Sequence, residues 1–306
     1  MPSEVLGVGS AVWDQIAFVS FDEQQHFAPH KGGTTSLSEN EFQNLQNTLE
    51  ITYSGPGGSA VNTLKGLVKL GRSCAILGKK GSDETGEAFE NQIKSLGILS
   101  FLTQSPKTTT QVISLVTPDK DRTMVNFLGA STDFSKDHLM DNAFEGIRLC
   151  HLEGYLLFSP GALEMVMELA KARGAIISLN LASFQIANEF KETLAFLLER
   201  YVDILFCSEE EMEAFLGAPF HENQALIQAL VPLALVTQGE KGAYVLTKSG
   251  LDHIPAEKVD VVDTTGAGDY FAAGFLDAHL KGQDPVASAK AGAKLAASIC
   301  QVVGTN

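Results

Sequence analysis

Several features that would mark other kinds of protein are scarce in this 306-residue sequence. Its four cysteines, Cys74, Cys150, Cys207 and Cys300, lie far apart and form no Cys-x-x-Cys pair. That argues against a structural zinc site, and their apolar surroundings suit small core residues. Basic residues are few: 22 Lys and Arg stand against 37 Asp and Glu, a formal net charge of −15. A basic face for nucleic acid or for an anionic membrane surface is therefore not expected. An anionic small molecule is not excluded, because a glycine-rich backbone nest binds phosphate inside an acidic protein. No apolar run reaches membrane-spanning length, and Met1-Pro2-Ser3-Glu4 lacks the basic start of a secretory signal. The expectation is a cytoplasmic protein with no internal repeat and no low-complexity segment.

What is present centres on Asp263-Thr264-Thr265-Gly266-Ala267-Gly268-Asp269, followed by the apolar run Tyr270 to Phe275. The pattern reads as a tight turn feeding straight into a helix. A helix start presents unpaired N–H groups and the positive end of the macrodipole. Gly266 and Gly268 remove the side chains that would hold an anion away. Asp269 falls in the first turn, where a carboxylate can accept a proton from an attacking hydroxyl. Taken alone, a Gly-x-Gly-Asp string fits an ordinary helix cap better, because such caps are frequent.

Read along the chain, Val5 to Gly9 suits a buried strand, and residues 15–20 a second one. Residues 22–48 are polar and read as a loop, with a helix from Ser38 in capping-box spacing with Glu41. Tyr53 to Thr63 places Gly55, Pro56, Gly57 and Gly58 before an amphipathic helix that stops at Gly71. Cys74 to Gly78 is another strand, and Asp83 caps a helix running to Leu96. Residues 98–102, 111–116 and 123–128 read as strands of a small sheet outside the main fold. From 148 onward strand and helix alternate: 149–152, helix 161–173, 175–179, a helix from about 187, 202–206, helix 208–216, 233–237, a hairpin over 243–254, and helices 266–281 and 285–302. Such alternation defines an α/β fold with a doubly wound, mostly parallel sheet and helices on both faces. Ligands on these sheets bind beyond the carboxyl ends of the strands.

The string from Asp263 to Asp269, extending to Phe271, resembles the C-terminal signature of the ribokinase family, also called the PfkB carbohydrate kinases. Gly57-Gly58-Ser59 with Asn62 resembles the family's N-terminal signature. The resemblance covers nearly the whole chain, and Ser178 to Leu181, Tyr201 to Phe206 and Val236 to Gly239 look most like the adenosine kinase branch. It implies one ribokinase-like kinase domain over 1–306, with a β-sheet lid from segments about 15–53 and 98–128. It also implies ATP-dependent phosphorylation of a hydroxymethyl group on adenosine or a related ribose-like substrate. A sugar or sugar-phosphate kinase, and a non-catalytic nucleotide-binding relative, remain as alternatives.

By the same resemblance, Asp269 is the base, Gly266, Ala267 and Gly268 form the anion hole, and Arg122 is a lid arginine over the transferring phosphate. Asp14, Gly57, Gly58, Ser59 and Asn62 take the substrate. Asn180, Ser208, Thr237, Gly239 and Gly242 lie on the nucleotide side, and Glu211 orders Mg²⁺. Ser208 departs from the family, which has Asn there. The last two helices would flank the adenine, and Trp13, Phe127, Tyr155 and Phe184 are the candidates for stacking a nucleobase. Partners are then a nucleoside or sugar and ATP, with the protein a monomer or a homodimer through the lid.

Overall fold

The computed structural model of the protein describes residues 3–135 and 138–305. The chain runs β1 (Val5–Val8), β2 (Val12–Phe18), α1 (Phe21–Phe27), β3 (Thr34–Ser36), α2 (Glu39–Thr48), β4 (Ile51–Gly57), α3 (Ser59–Lys69), β5 (Cys74–Gly81), α4 (Glu84–Ser95), β6 (Leu99–Ser105), β7 (Thr110–Val116) and β8 (Arg122–Phe127). It continues through β9 (Leu149–Glu153), α5 (Ala162–Ala172), β10 (Ile176–Asn180), α6 (Phe184–Glu189), α7 (Lys191–Arg200), β11 (Ile204–Ser208), α8 (Glu209–Leu216), α9 (Gln224–Leu230), β12 (Leu233–Thr237), β13 (Ala243–Thr247), β14 (Gly250–Ile254), α10 (Ala267–Leu280) and α11 (Pro285–Ile299).

Among the described residues nine strands form the main sheet, in the order β14-β13-β12-β11-β10-β9-β1-β5-β6. Pairing is parallel from β12 to β6, and the hairpin β13–β14 adds two antiparallel strands at one edge. Continuous apolar runs explain this sheet, because both of its faces are covered. Leu6 and Val8 enter one core with residues of α5, α7 and α8. Val5 enters the other, with α3 and α10. The mostly parallel, doubly wound fold agrees with the alternation of strand and helix patterns.

A second sheet of five strands has the order β3-β8-β7-β2-β4. One face packs on α2 through Phe42 and Leu45. Three local readings are corrected. The segment 98–102 does not join the small sheet; β6 pairs in parallel with β5 and forms the edge of the main sheet. The second strand starts at Val12, ahead of the expected residue 15, so Asp14 lies within β2, opposite Gly55 of β4. The stretch read as a loop from residue 22 opens with α1, whose start is a capping box between Ser20 and Glu23. That helix exposes Phe21 and carries no apolar stripe, so its periodicity is hidden in the sequence. Asp83 caps α4 as expected, accepting from Gly86 N at 2.8 Å, and also accepts from Thr109 N at 2.8 Å. Cys74, Cys150 and Cys207 are buried, while Cys300 is half-buried.

Candidate active site

One cleft of about 430 Å³ lies between the small sheet and the carboxyl ends of the main strands. Register places the main-sheet contribution. Glu153 ends β9 beside Asn180 at the end of β10, and Ser208 ends β11 beside Thr237 at the end of β12. The small sheet supplies Asp14, with Val112 next to it on β7 and Asn126 next to Val112 on β8. Helix α3 brings Ser59 and Asn62, and α10 brings Asp269.

Of the expected residues, Asp14, Gly58, Ser59, Asn62, Arg122, Asn180, Ser208, Glu211, Thr237, Gly266, Ala267, Gly268 and Asp269 all line this cleft. Gly57, Gly239 and Gly242 do not, and each has a local reason to be glycine or to turn. A Cβ on Gly57 would lie 1.9 Å from Asp14 Oδ2, so the glycine lets that carboxylate pass. A Cβ on Gly242 would lie 2.0 Å from the Ile254 carbonyl oxygen on β14. Gly239 has φ of +57° and opens a 3₁₀ turn just past Thr237.

Asp269 is held from three directions. Ser59 Oγ donates to its Oδ1 at 2.7 Å, Asn62 Nδ2 to its Oδ2 at 3.1 Å, and Asn180 Nδ2 to Oδ1 at 3.4 Å. Burial pushes its carboxyl up to about 7; the donors Ser59 and Asn62 oppose this, and the nearby Glu153 and Asp14 carboxylates reinforce it. Asp14 is pushed up to about 6, again mainly by burial, with Lys65 and Arg122 pulling the other way. A carboxyl that titrates near neutrality and faces a cleft suits proton transfer.

The turn before α10 forms the cradle. Gly266 is left-handed at φ +74°, and no side chain caps the helix. Ala267 N–H is used inside the turn, donating to Thr264 O at 3.2 Å. Among the described residues nothing accepts from the N–H groups of Gly268 and Asp269. A Cβ on Gly268 would meet open space. Free donors at a helix start are suited to an anion. Arg122 stands across from the turn, its Nη1 donating to Thr265 Oγ1 at 2.9 Å.

Ser208 gains a structural account. It is the N-cap of α8: its Oγ accepts from Glu211 N at 3.1 Å, and Glu211 Oε2 accepts from Ser208 N at 2.8 Å. Ser and Asn are comparably good caps, so the departure keeps Glu211 in place. Burial pushes the Glu211 carboxyl up to about 7.

Sequence reasoning missed Glu153, Lys65 and Thr305. Glu153 is buried and accepts from Ser10 N at 2.7 Å and Ala60 N at 3.0 Å, pinning β1 and α3 together beneath the cleft. A buried acid ending an apolar strand was the available signal. Of the stacking candidates only Tyr155 lines the cleft, joined by the half-exposed Phe158. Trp13 packs toward the core of α3 and α10, Phe127 lies against Phe42 on the far face of the small sheet, and Phe184 is exposed.

The sequence profile of the pfkB family carbohydrate kinases matches residues 34–306. The chain is 31% identical to the adenosine kinase of Saccharomyces cerevisiae over 268 residues, which is 81% of this chain and 78% of that one. The solved structure of adenosine kinase from Sinorhizobium meliloti superposes with a TM-score of 0.94 at 27% identity, covering 100% of this chain and 96% of the other. A Rhizobium etli structure described as "probable sugar kinase protein" gives 0.93 at 27% identity, with 99% and 94% covered. Fold and relatives thus define an ATP-dependent kinase whose acceptor is a hydroxyl group. The chain belongs to the pfkB family of carbohydrate kinases, and within it the similarity is greatest to adenosine kinases. No helix among the described residues is long and apolar enough to cross a membrane.

Proposed function

We propose that the protein transfers the γ-phosphoryl group of ATP to the hydroxymethyl group of adenosine or a closely related ribose-like substrate, with Asp269 as the base. One observation carries this reading: Asp269, Asp14, Asn62 and the open turn at Gly266–Gly268 share a single cleft. Asp14 accepts from the sugar hydroxyls, since one carboxylate can serve two adjacent donors. Asp269 takes the proton of the attacking hydroxyl. Free N–H groups at the start of α10, together with Arg122, receive the charge carried by the phosphoryl group in flight. The small sheet covers the cleft as a lid and keeps water from the phosphoryl group.

Mg²⁺ fits the residues present. Glu211 lines the cleft, and one of its two carboxylate oxygens is held by Ser208 N. Among the described residues no three His, Cys, Asp or Glu side chains converge on one point. An ion that keeps several waters and shares phosphate oxygens, as Mg²⁺ does, suits so sparse a donor set. Bound there, it would neutralise charge between the β- and γ-phosphates.

A sugar substrate is the second reading. Its support is the polar small-sheet side of the cleft, where Thr34, Thr110, Ser114 and Asn126 stand. Tyr155, Phe158, Met124 and Val112 in the same cleft favour a nucleobase. ADP release measured over adenosine, other nucleosides, ribose, fructose and sugar phosphates decides between them. Adenosine should give the highest kcat/KM; turnover confined to free sugars would reject the nucleoside reading. Ser208 gives no support to a non-catalytic relative, because it caps α8 together with Glu211.

A further inference from the structure

Asn62 can present either end of its amide to Asp269. Only the Nδ2 end helps, because an amide oxygen facing a carboxylate places two acceptors together. Something outside the pair must decide, and the segment after α11 supplies it. Thr305 is 1% exposed, and its Oγ1 donates to Asn62 Oδ1 at 2.9 Å. The same Oγ1 accepts from Lys65 Nζ at 2.9 Å. An ammonium group can only donate, so it occupies a lone pair of the hydroxyl and directs the single hydroxyl proton toward Asn62. Lys65 is itself fixed by a second bond, to the Pro56 carbonyl oxygen.

Thr305 is held as firmly as it holds others. Its carbonyl accepts from Tyr270 Oη at 2.9 Å, and the preceding Gly304 N donates to Asp263 Oδ2 at 2.9 Å. A Cβ on Gly266 would lie 2.5 Å from Thr305 Cγ2, so the cradle turn rests on this residue. The hydrogen bonds run in one direction: Lys65 to Thr305, Thr305 to Asn62, Asn62 to Asp269. A chain of aligned donors strengthens each link.

We propose that Thr305 is a positioning residue, whose hydroxyl, ordered by Lys65, fixes the Asn62 amide so that its Nδ2 donates to Asp269 and holds that carboxylate ready for the substrate proton. The proposal rests on the reading of Asp269 as the base. It extends that reading to a residue that lies behind the cleft and outside its lining.

The test is the pH profile of kcat in Thr305→Val, Thr305→Ala and Thr305→Ser beside the wild type. Valine keeps the shape and removes the hydroxyl. Losing one oriented donor to a charged group should move the acid limb up by about one pH unit and lower kcat at pH 7 by roughly fivefold. The rate should recover at higher pH, where Asp269 is ionised again. Serine keeps the hydroxyl and should restore the limb. Asp14, Glu153, Tyr155 and Lys65 also face Asp269, and they are common to every variant, so the difference between profiles isolates Thr305. Alanine serves if the valine chain does not fold, and the same limb shift is expected of it.

A purely packing role predicts a lower melting temperature and a rate lowered equally at all pH values; that outcome, or a serine variant that behaves like valine, overturns the proposal. Asp269→Asn separates the two layers. If it keeps the wild-type limb, the base assignment itself is wrong. If it loses turnover while Thr305→Val keeps the wild-type limb, only the role of Thr305 fails.

Discussion

Helices α8 and α10 both begin on the cleft, yet one start is closed and the other open. At α8 the Ser208 hydroxyl and the Glu211 carboxylate satisfy each other's backbone donors in a capping box. At α10 a left-handed glycine stands at the cap, no side chain caps the first turn, and a Cβ on Gly268 would meet no protein atom. A natural helix end ordinarily satisfies those groups. A start without a side-chain cap forgoes about 1 kcal/mol of capping stability and leaves donors that suit an anionic ligand. The closed start instead holds one carboxylate at a fixed place. The two helix starts therefore differ in kind: α8 is closed by its own side chains, and α10 is left without a side-chain cap.

The sharpest way to break this comparison is Asp269→Asn. Turnover should fall by about 10²–10⁴-fold, measured as ADP release, because the group that accepts the proton is gone. The folded protein should meanwhile become slightly more stable at pH 8. A carboxyl pushed up by burial is destabilising in its ionised form. That penalty is absent below the unfolded carboxyl range, grows as pH rises toward about 7, and is complete above it. A melting scan at pH 5 and pH 8 checks the sign: the variant's advantage should appear at the higher pH.

Gly268→Ala is the next largest. Its Cβ meets no protein atom, and alanine is the better helix residue by about 1 kcal/mol, so the melting temperature should hold or rise. The methyl group enters the space left for the anion, and kcat should drop by roughly 10²-fold, the cost of disturbing one preorganised donor. Loss of stability with unchanged rate would contradict an open cradle.

The pH profile of the wild type follows. Asp269 and Glu211 titrate at about 7 and Asp14 at about 6, all raised mainly by burial. Activity should rise through pH 6–7 with a slope above one proton, since more than one of these groups must ionise. Ser208→Ala should have the smallest effect. It removes one cap and should cost about 1 kcal/mol of stability with a few-fold loss in apparent Mg²⁺ affinity, and Ser208→Asn should restore both. A Ser208→Ala protein as stable as the wild type would mean that α8 is held by packing alone.

Legibility in the sequence followed the distance between partners. The turn into α10 was readable because Gly266, Gly268 and Asp269 lie within one turn. The box of Ser38 with Glu41 was readable for the same reason, and it forms as expected. By contrast, the α1 start at Ser20 uses the same device but carries no apolar stripe, and composition hid it. The strand at 98–102 was visible as a strand, yet its sheet was not, because pairing with β5 is decided by neighbours some 24 residues away. Phe127 and Trp13 were plausible stacking rings until the pleat and packing turned them from the cleft.

By itself the sequence determined the kinds of element, the parallel sheet and the local chemistry of the helix starts, since these depend on periodicity and on groups a few bonds apart. Only the tertiary structure decided which carboxylates meet, that Glu153 ties β1 to α3, and that Thr305 stands behind Asn62, 243 positions earlier in the chain. The physical reason is burial: the raised carboxyls of Asp14 and Asp269 exist only once the folded chain has removed water from around them and set them beside one another.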